Sequence, residues 1–382
     1  MIYARRILIP FVLILLLATT PVAALEHLVL RRDGQTIHLD GRTMIEARNG
    51  DVMFQTRDGT AWICKAEEIQ GRSADDDPFV PYTSKELATR LLAQLPPGFD
   101  VHHTSNYVIC HSTSRGYAQW CGALLERLHM AFTNYWRRKG FDLKKPEFPL
   151  AAIVFADKRS YVRYAQPEVG NGVEGVIAYY SLRTNRITMY DLTGMEASGG
   201  TGRGNTMAQI NRILSHPDAA PTVATIVHEA THQIAFNCGL HQRYSDCPKW
   251  FSEGIATFFE TPDLSSSRGW RSIGQINQLR LRHFRDFARH RPANSLATLL
   301  ETDDRFHDTA TSTDAYAEAW ALTYFLIQQR PKEYVRYLQT LSEKAPQYWD
   351  TPEGRREDFT EVFGQDLDQL NQEMLRFMSR LR

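Results

Sequence analysis

The chain has 382 residues, with 44 Lys+Arg against 44 Asp+Glu. That balance excludes a nucleic-acid binder or a membrane-surface protein that works by bulk charge. Apolar residues at 43% and charged residues at 23% describe an ordinary globular chain, long enough for two or three domains.

The N-terminus carries Arg5 and Arg6, an apolar run from Ile7 to Leu17, and small residues in which Val22 and Ala24 fit a cleavage site. Residues 1–24 therefore read as a cleaved signal peptide. The run is short for a membrane span, so a secreted or periplasmic location is expected, without stable membrane insertion after cleavage. Residues 25–72 alternate polar and apolar side chains between the breakers "RDG", "RNGD" and "RDG", which predicts a small all-β barrel or meander. The polar stretch at 73–82 reads as a linker. From residue 83 the pattern changes to α+β. A short helix begins near Ser84 and Glu86. "DVHHTSNYVICHS" is strand-like. A long amphipathic helix follows, with Trp120, Leu124, Leu128, Phe132 and Trp136 on one face. "FPLAAIVFADKRSYVRYA" gives a strand and a helix, and "VIAYYSLRTNRITMYDL" gives two strands around "RTN". The glycine-rich Gly199–Asn205 lacks the Gly-Lys-Ser/Thr ending of a phosphate loop and reads as a connecting loop. Residues 83–215 form an α/β part, and residues 216–382 are mainly helical.

Export makes disulfides possible. Of five cysteines, Cys110 with Cys121 and Cys238 with Cys247 are close in sequence and are expected to pair, leaving Cys64 odd.

The chemistry concentrates in "VHEATHQ". On a helix, His228 and His232 lie on one face and can send two imidazoles to one point, with Glu229 one step round. This is the H-E-x-x-H arrangement, in which zinc takes both histidines and the glutamate acts as general base. A catalytic zinc needs a third protein ligand and an open position. His241 and Asp246 lie in a loop and are poorly oriented for it. Glu253, in "WFSEGIA", begins the next helix, and Gly254 beside it permits a close helix approach. Glu260 lies two turns further on, as an outer-shell or surface residue.

"HEATHQ" followed by "WFSEGIATFFE" resembles the gluzincin metallopeptidases, most of all the aminopeptidase N type with its H-E-x-x-H-Q and W-x-N-E-G-x-A patterns. The specific likeness covers Thr225 to Glu260, with Ser252 where that pattern has asparagine and a slightly longer gap between its two halves. A looser likeness to uncharacterised secreted gluzincin-like proteins runs from about residue 83 to the end. The resemblance implies a zincin-like bilobal metallopeptidase domain, mixed α/β above and helical below, after the small β module. It implies His228, His232 and Glu253 as zinc ligands, Glu229 as the base, and Thr257 as a support for a ligand histidine. It also implies a tyrosine or histidine on a later helix as oxyanion donor: Tyr316, with Tyr324 and His307 as competitors. "TGMEASGG" lacks the full G-x-M-E-N amine anchor of the aminopeptidases, so their specificity does not carry over. The strand Arg186–Leu192 is the candidate edge for pairing with an extended peptide.

The sequence thus points to an exported Zn2+ peptidase acting on a peptide or protein substrate. The alternative is a zinc-bearing or metal-free binding scaffold without catalysis. Retention of Glu229 favours the first.

Overall fold

In the computed structural model, residues 23–194, 206–261, 270 and 272–382 are described. Most of the signal segment, the glycine-rich loop, Met195 and Glu196 lie outside them.

The turn residues shape the N-terminal module. Strands β1 (Ala24–Arg32) and β2 (Gln35–Glu46) are joined by Asp33 and Gly34, both at positive φ (51° and 76°), as a tight hairpin with native strand twist requires. Gly50 and Gly59 serve the turns into β3 (Val52–Thr56) and β4 (Ala61–Cys64) in the same way. With β5 (Ile69–Pro78), the strands form an antiparallel sheet in the order β4-β3-β2-β1-β5 around Leu28, Leu30, Val52 and Phe54. The meander expectation holds for its first four strands. The linker does not: Ile69–Pro78 is strand β5, paired with β1. Its polar, exposed composition is that of an edge strand, which natural sheets protect with charge.

The module docks on the rest of the chain. The Ala61 N–H donates to the Arg183 carbonyl at 2.8 Å. Asp58 and Arg186 form a buried ion pair at 2.7 Å. Arg42 binds Glu147 with two hydrogen bonds of 2.8 Å.

Helix α1 (Ser84–Gln94) is capped by Thr83, whose side chain and that of Glu86 satisfy each other's backbone N–H groups. A second sheet follows, built from β6 (Asp100–His103), β7 (Tyr107–His111), β8 (Leu150–Phe155), β9 (Ala178–Ser181) and β10 (Arg186–Tyr190) in the order β6-β7-β8-β10-β9. β7, β8 and β10 run parallel, and every residue of β8 is buried, as expected of a strand covered on both faces. Alternate side chains serve two cores. Tyr107, Ile109, Leu150, Ala152 and Val154 pack with α2 (Arg115–Arg138), while Val108, Cys110, Ala151, Ile153 and Phe155 pack with α1 and α3 (Lys158–Val169).

That alternation overturns one expected disulfide. Cys110 points to one face of the sheet and Cys121, on α2, packs on the other; both are buried free thiols. The second pair also fails. Cys238 Sγ lies 3.9 Å from His129, whereas Cys247 belongs to a region of charged groups around Asp246 and Arg355, and both are free. The proposed substrate strand is likewise corrected. Arg186–Tyr190 is internal, and the edge on that side of the sheet is β9, antiparallel to it.

Helix α4 (Met207–Leu214) leads to α5 (Ala220–Asn237), which lies across β9 and β10, and then to α6 (Lys249–Phe259). The remaining helices are α7 (Gln278–Phe287), α8 (Ser295–Glu301), α9 (Asp304–His307), α10 (Ser312–Gln329), α11 (Pro331–Ser342), α12 (Pro352–Phe363) and α13 (Leu367–Arg380). α10 is apolar on most of its circumference and forms the axis of this part. Its one buried acid, Glu318, is satisfied by Arg291, Arg305 and Ser295. The architecture is therefore α+β: a β module, a mixed sheet-and-helix part and a helical part. No helix among the described residues is long and apolar enough to cross a membrane.

Candidate metal centre

Two helices bring the donors together. α5 carries His228 and His232 one turn apart and ends at Asn237, with Cys238 as its cap and Gly239 following at φ 78°. Gln233, fully buried, ties α5 to the sheet by donating to the carbonyls of Ala151 and Asn185, both at 3.0 Å. α6 brings Glu253. Gly254 does permit a close approach, but toward α10: a Cβ there would lie 2.1 Å from Thr323 Oγ1 and 2.9 Å from the Ala319 carbonyl oxygen.

The three side chains meet. His228 Nε2 lies 3.1 Å from His232 Nε2 and 3.0 Å from Glu253 Oε2, and His232 Nε2 lies 3.3 Å from the same oxygen. A tetrahedral zinc with ligands at about 2.0–2.1 Å places its donor atoms roughly 3.3 Å apart, so the triangle has the right size for one face of such a site. Among the described residues this is the group of His, Cys, Asp or Glu whose ligand atoms converge.

Electrostatics agree with a cationic occupant. Burial alone would push the His228 imidazolium down, yet Glu253 and Glu260 hold its pKa well above the ordinary histidine value. Burial likewise works against the Glu253 carboxylate, but His232 and His228 keep its pKa well below the usual range.

The support of His228 differs from expectation. Thr257 turns its hydroxyl onto the Glu253 and Gly254 carbonyls of its own helix, so it orients no histidine. Glu260 does so instead: its Oε1 accepts from His228 Nδ1 at 2.7 Å. That bond places the Nδ1 proton outward and leaves the Nε2 lone pair facing the triad. The sequence signal existed, since residues seven apart share a helix face, and the longer glutamate reaches where threonine does not. Glu260 in turn is held by Asn277 at 3.1 Å and by two nitrogens of Arg280 at 2.9 and 3.1 Å. Neither residue carries a sequence signal.

Glu229 sits half-buried beside the triad, and its Oε2 accepts the Tyr180 backbone N–H at 2.8 Å. Burial raises its pKa, against the opposing pull of His228 and His232. Tyr316 lies at the site, its ring 6.3 Å from that of His228 and edge-on to Phe306 at 5.3 Å. Burial, and then Glu253 and Glu229, push its phenol pKa up. The competitors lie elsewhere. Tyr324 packs against Trp320 and Phe258, and His307 is exposed on α9. The other ligand candidates are also placed apart. Asp246 is engaged by Arg355 at 2.6 and 2.9 Å. His241 is buried between Phe236 and Phe251, which pushes its pKa down to about 3.

A family model described as "Protein of unknown function (DUF1570)" matches residues 222–347, a span that holds the triad, Glu229, Glu260, Arg280 and Tyr316. No curated protein matches the chain.

Proposed function

We propose that the chain is an exported zinc-dependent peptidase of zincin-like, bilobal build that hydrolyses peptide bonds. The observation that carries the reading is the meeting of three donor atoms at 3.0–3.3 Å with a further carboxylate, Glu229, beside them and free of the triad. A purely structural site fills its coordination with protein ligands and has no use for such a base.

His228, His232 and Glu253 would hold the ion. When bound, zinc supplies Lewis acidity toward a water and toward the scissile carbonyl. Glu229 takes the proton from the attacking water and delivers it to the departing amine nitrogen. The Tyr180 N–H keeps that carboxylate aimed. Tyr316 donates to the oxygen on which charge builds up. Because the Tyr180 N–H faces Glu229 and not β10, edge strand β9 is the better candidate for alignment of an extended substrate.

Metal analysis of the purified protein and one substitution test this. Near-stoichiometric zinc is expected, and a His228→Ala, His232→Ala double variant should lose it. Glu229→Gln should keep zinc and lose casein or peptide-library cleavage by on the order of 100-fold or more. Zinc-loaded wild type that cleaves nothing, or Glu229→Gln that cleaves as well as wild type, would leave a binding scaffold as the better reading.

A further inference from the structure

We infer that Arg280, on a helix outside the ligand-bearing pair, determines how firmly the triad retains its ion and fixes the ring of Tyr316 at the same time. The inference rests on the metal-site reading above.

The first limb runs through Glu260. Arg280 donates Nε to Oε2 at 3.1 Å and Nη2 to Oε1 at 2.9 Å, a two-point grip that a guanidinium makes and an ammonium does not. Asn277 adds a third donor to Oε2 at 3.1 Å and also caps α7, its Oδ1 accepting the Arg280 backbone N–H at 3.2 Å. With His228 Nδ1 at 2.7 Å, all four contacts orient one carboxylate at the C-terminal end of α6. Its side chain is 9% exposed and that of Arg280 is 17%. A carboxylate deprived of that two-point grip is free to swing away, which releases the Nδ1 contact that aims His228.

The second limb is independent of Glu260. The Arg280 guanidinium carbon stands 5.4 Å from the centre of the Tyr316 ring, within cation–π range. The ring is thus held between Arg280 and the edge-on Phe306. One side chain therefore braces a ligand histidine and the proposed oxyanion donor, and does so from α7, which supplies no ligand. A plain structural role, joining α7 to α6, would account for the ion pair but predicts no effect on metal affinity in a folded variant.

The test uses the full chain and Zn2+ itself as the probe, with affinity read by competition against a chelator and folding read by circular dichroism. Arg280→Ala should bind Zn2+ roughly 10- to 100-fold more weakly than wild type. Arg280→Lys should fall between them. Arg280→Ala added to Glu260→Gln should cost little more zinc affinity than Glu260→Gln alone, because both act on the same histidine. Arg282→Ala, an exposed cation on the same helix, controls for general charge and should leave affinity unchanged. A folded Arg280→Ala within twofold of wild type overturns the inference, as does an additive loss in the double variant. Should Arg280→Ala not fold, Arg280→Lys decides: wild-type affinity there overturns it equally. Wild type that takes up no Zn2+ overturns the peptidase reading and this inference together, whereas equal affinity in wild type and variants overturns this inference alone.

Discussion

Gly254→Ala is the sharpest small perturbation available. The added methyl would lie 2.1 Å from Thr323 Oγ1, 2.9 Å from the Ala319 carbonyl oxygen and 3.1 Å from Thr323 Cβ. The carbonyl belongs to the backbone of α10 and has no rotamer to escape into, so α6 itself must retreat by on the order of 1 Å to restore ordinary contact distances. Overpacking of this kind costs about 1–3 kcal/mol, against which the better helix propensity of alanine returns just under 1 kcal/mol. The expected net loss is up to about 2 kcal/mol, read from urea unfolding at fixed zinc. The displacement also moves the neighbouring Glu253 out of a triangle whose edges are 3.0–3.3 Å, so zinc affinity should fall with stability. An alanine variant as stable as wild type with unchanged zinc affinity would refute the argument that the bare flank of α6 sets the position of Glu253.

Other expectations follow from the same geometry. Tyr316→Phe should keep wild-type zinc affinity and lower kcat by roughly 10- to 1,000-fold with a smaller change in KM, as measured on a peptide substrate. Asp58→Asn leaves the Arg186 guanidinium buried without its counter-charge, a loss of about 3–5 kcal/mol that limited proteolysis should reveal as early release of the β module. Burial opposes the Asp58 carboxylate, but Arg186 and the Thr56 and Thr60 contacts outweigh it and hold its pKa below the ordinary value. The docking contribution is therefore complete above the unfolded-state pKa and is lost as pH falls through the depressed native value. Thiol titration in denaturant without reductant should count five free thiols, and native protein should react slowly, since Cys64, Cys110, Cys121 and Cys238 are buried.

The sequence revealed what depends on short spacing. His228 and His232 are joined by the helical period, and the hairpins by Asp-Gly and Asn-Gly turns, so both could be read locally. Strand order could not. That Arg186–Tyr190 is internal and Ala178–Ser181 is the edge depends on pairing with β8, across the chain. The cysteine pairs failed for a related reason, because spacing says nothing about which face of a sheet a residue takes. β5 was hidden by its own edge chemistry, since a charged exposed strand and a polar linker have the same composition. Around the metal centre, Glu253 was legible from its helix and its glycine. Arg280 and Asn277 reach Glu260 from a different helix, and no period connects them to it.

The way the β module is attached bears on the order in which the protein is completed during synthesis. Its hairpins close over a few residues and can form as soon as that segment emerges. Its docking partners arrive much later: Arg186 is 128 residues beyond Asp58, Arg243 is 184 beyond Gly59, and Gln347 is 294 beyond Met53. The donors of the metal centre, in contrast, are at most 25 residues apart. The module can therefore meet the β9–β10 turn once residue 186 has been made, but its full set of docking contacts needs Arg243 and Gln347 as well.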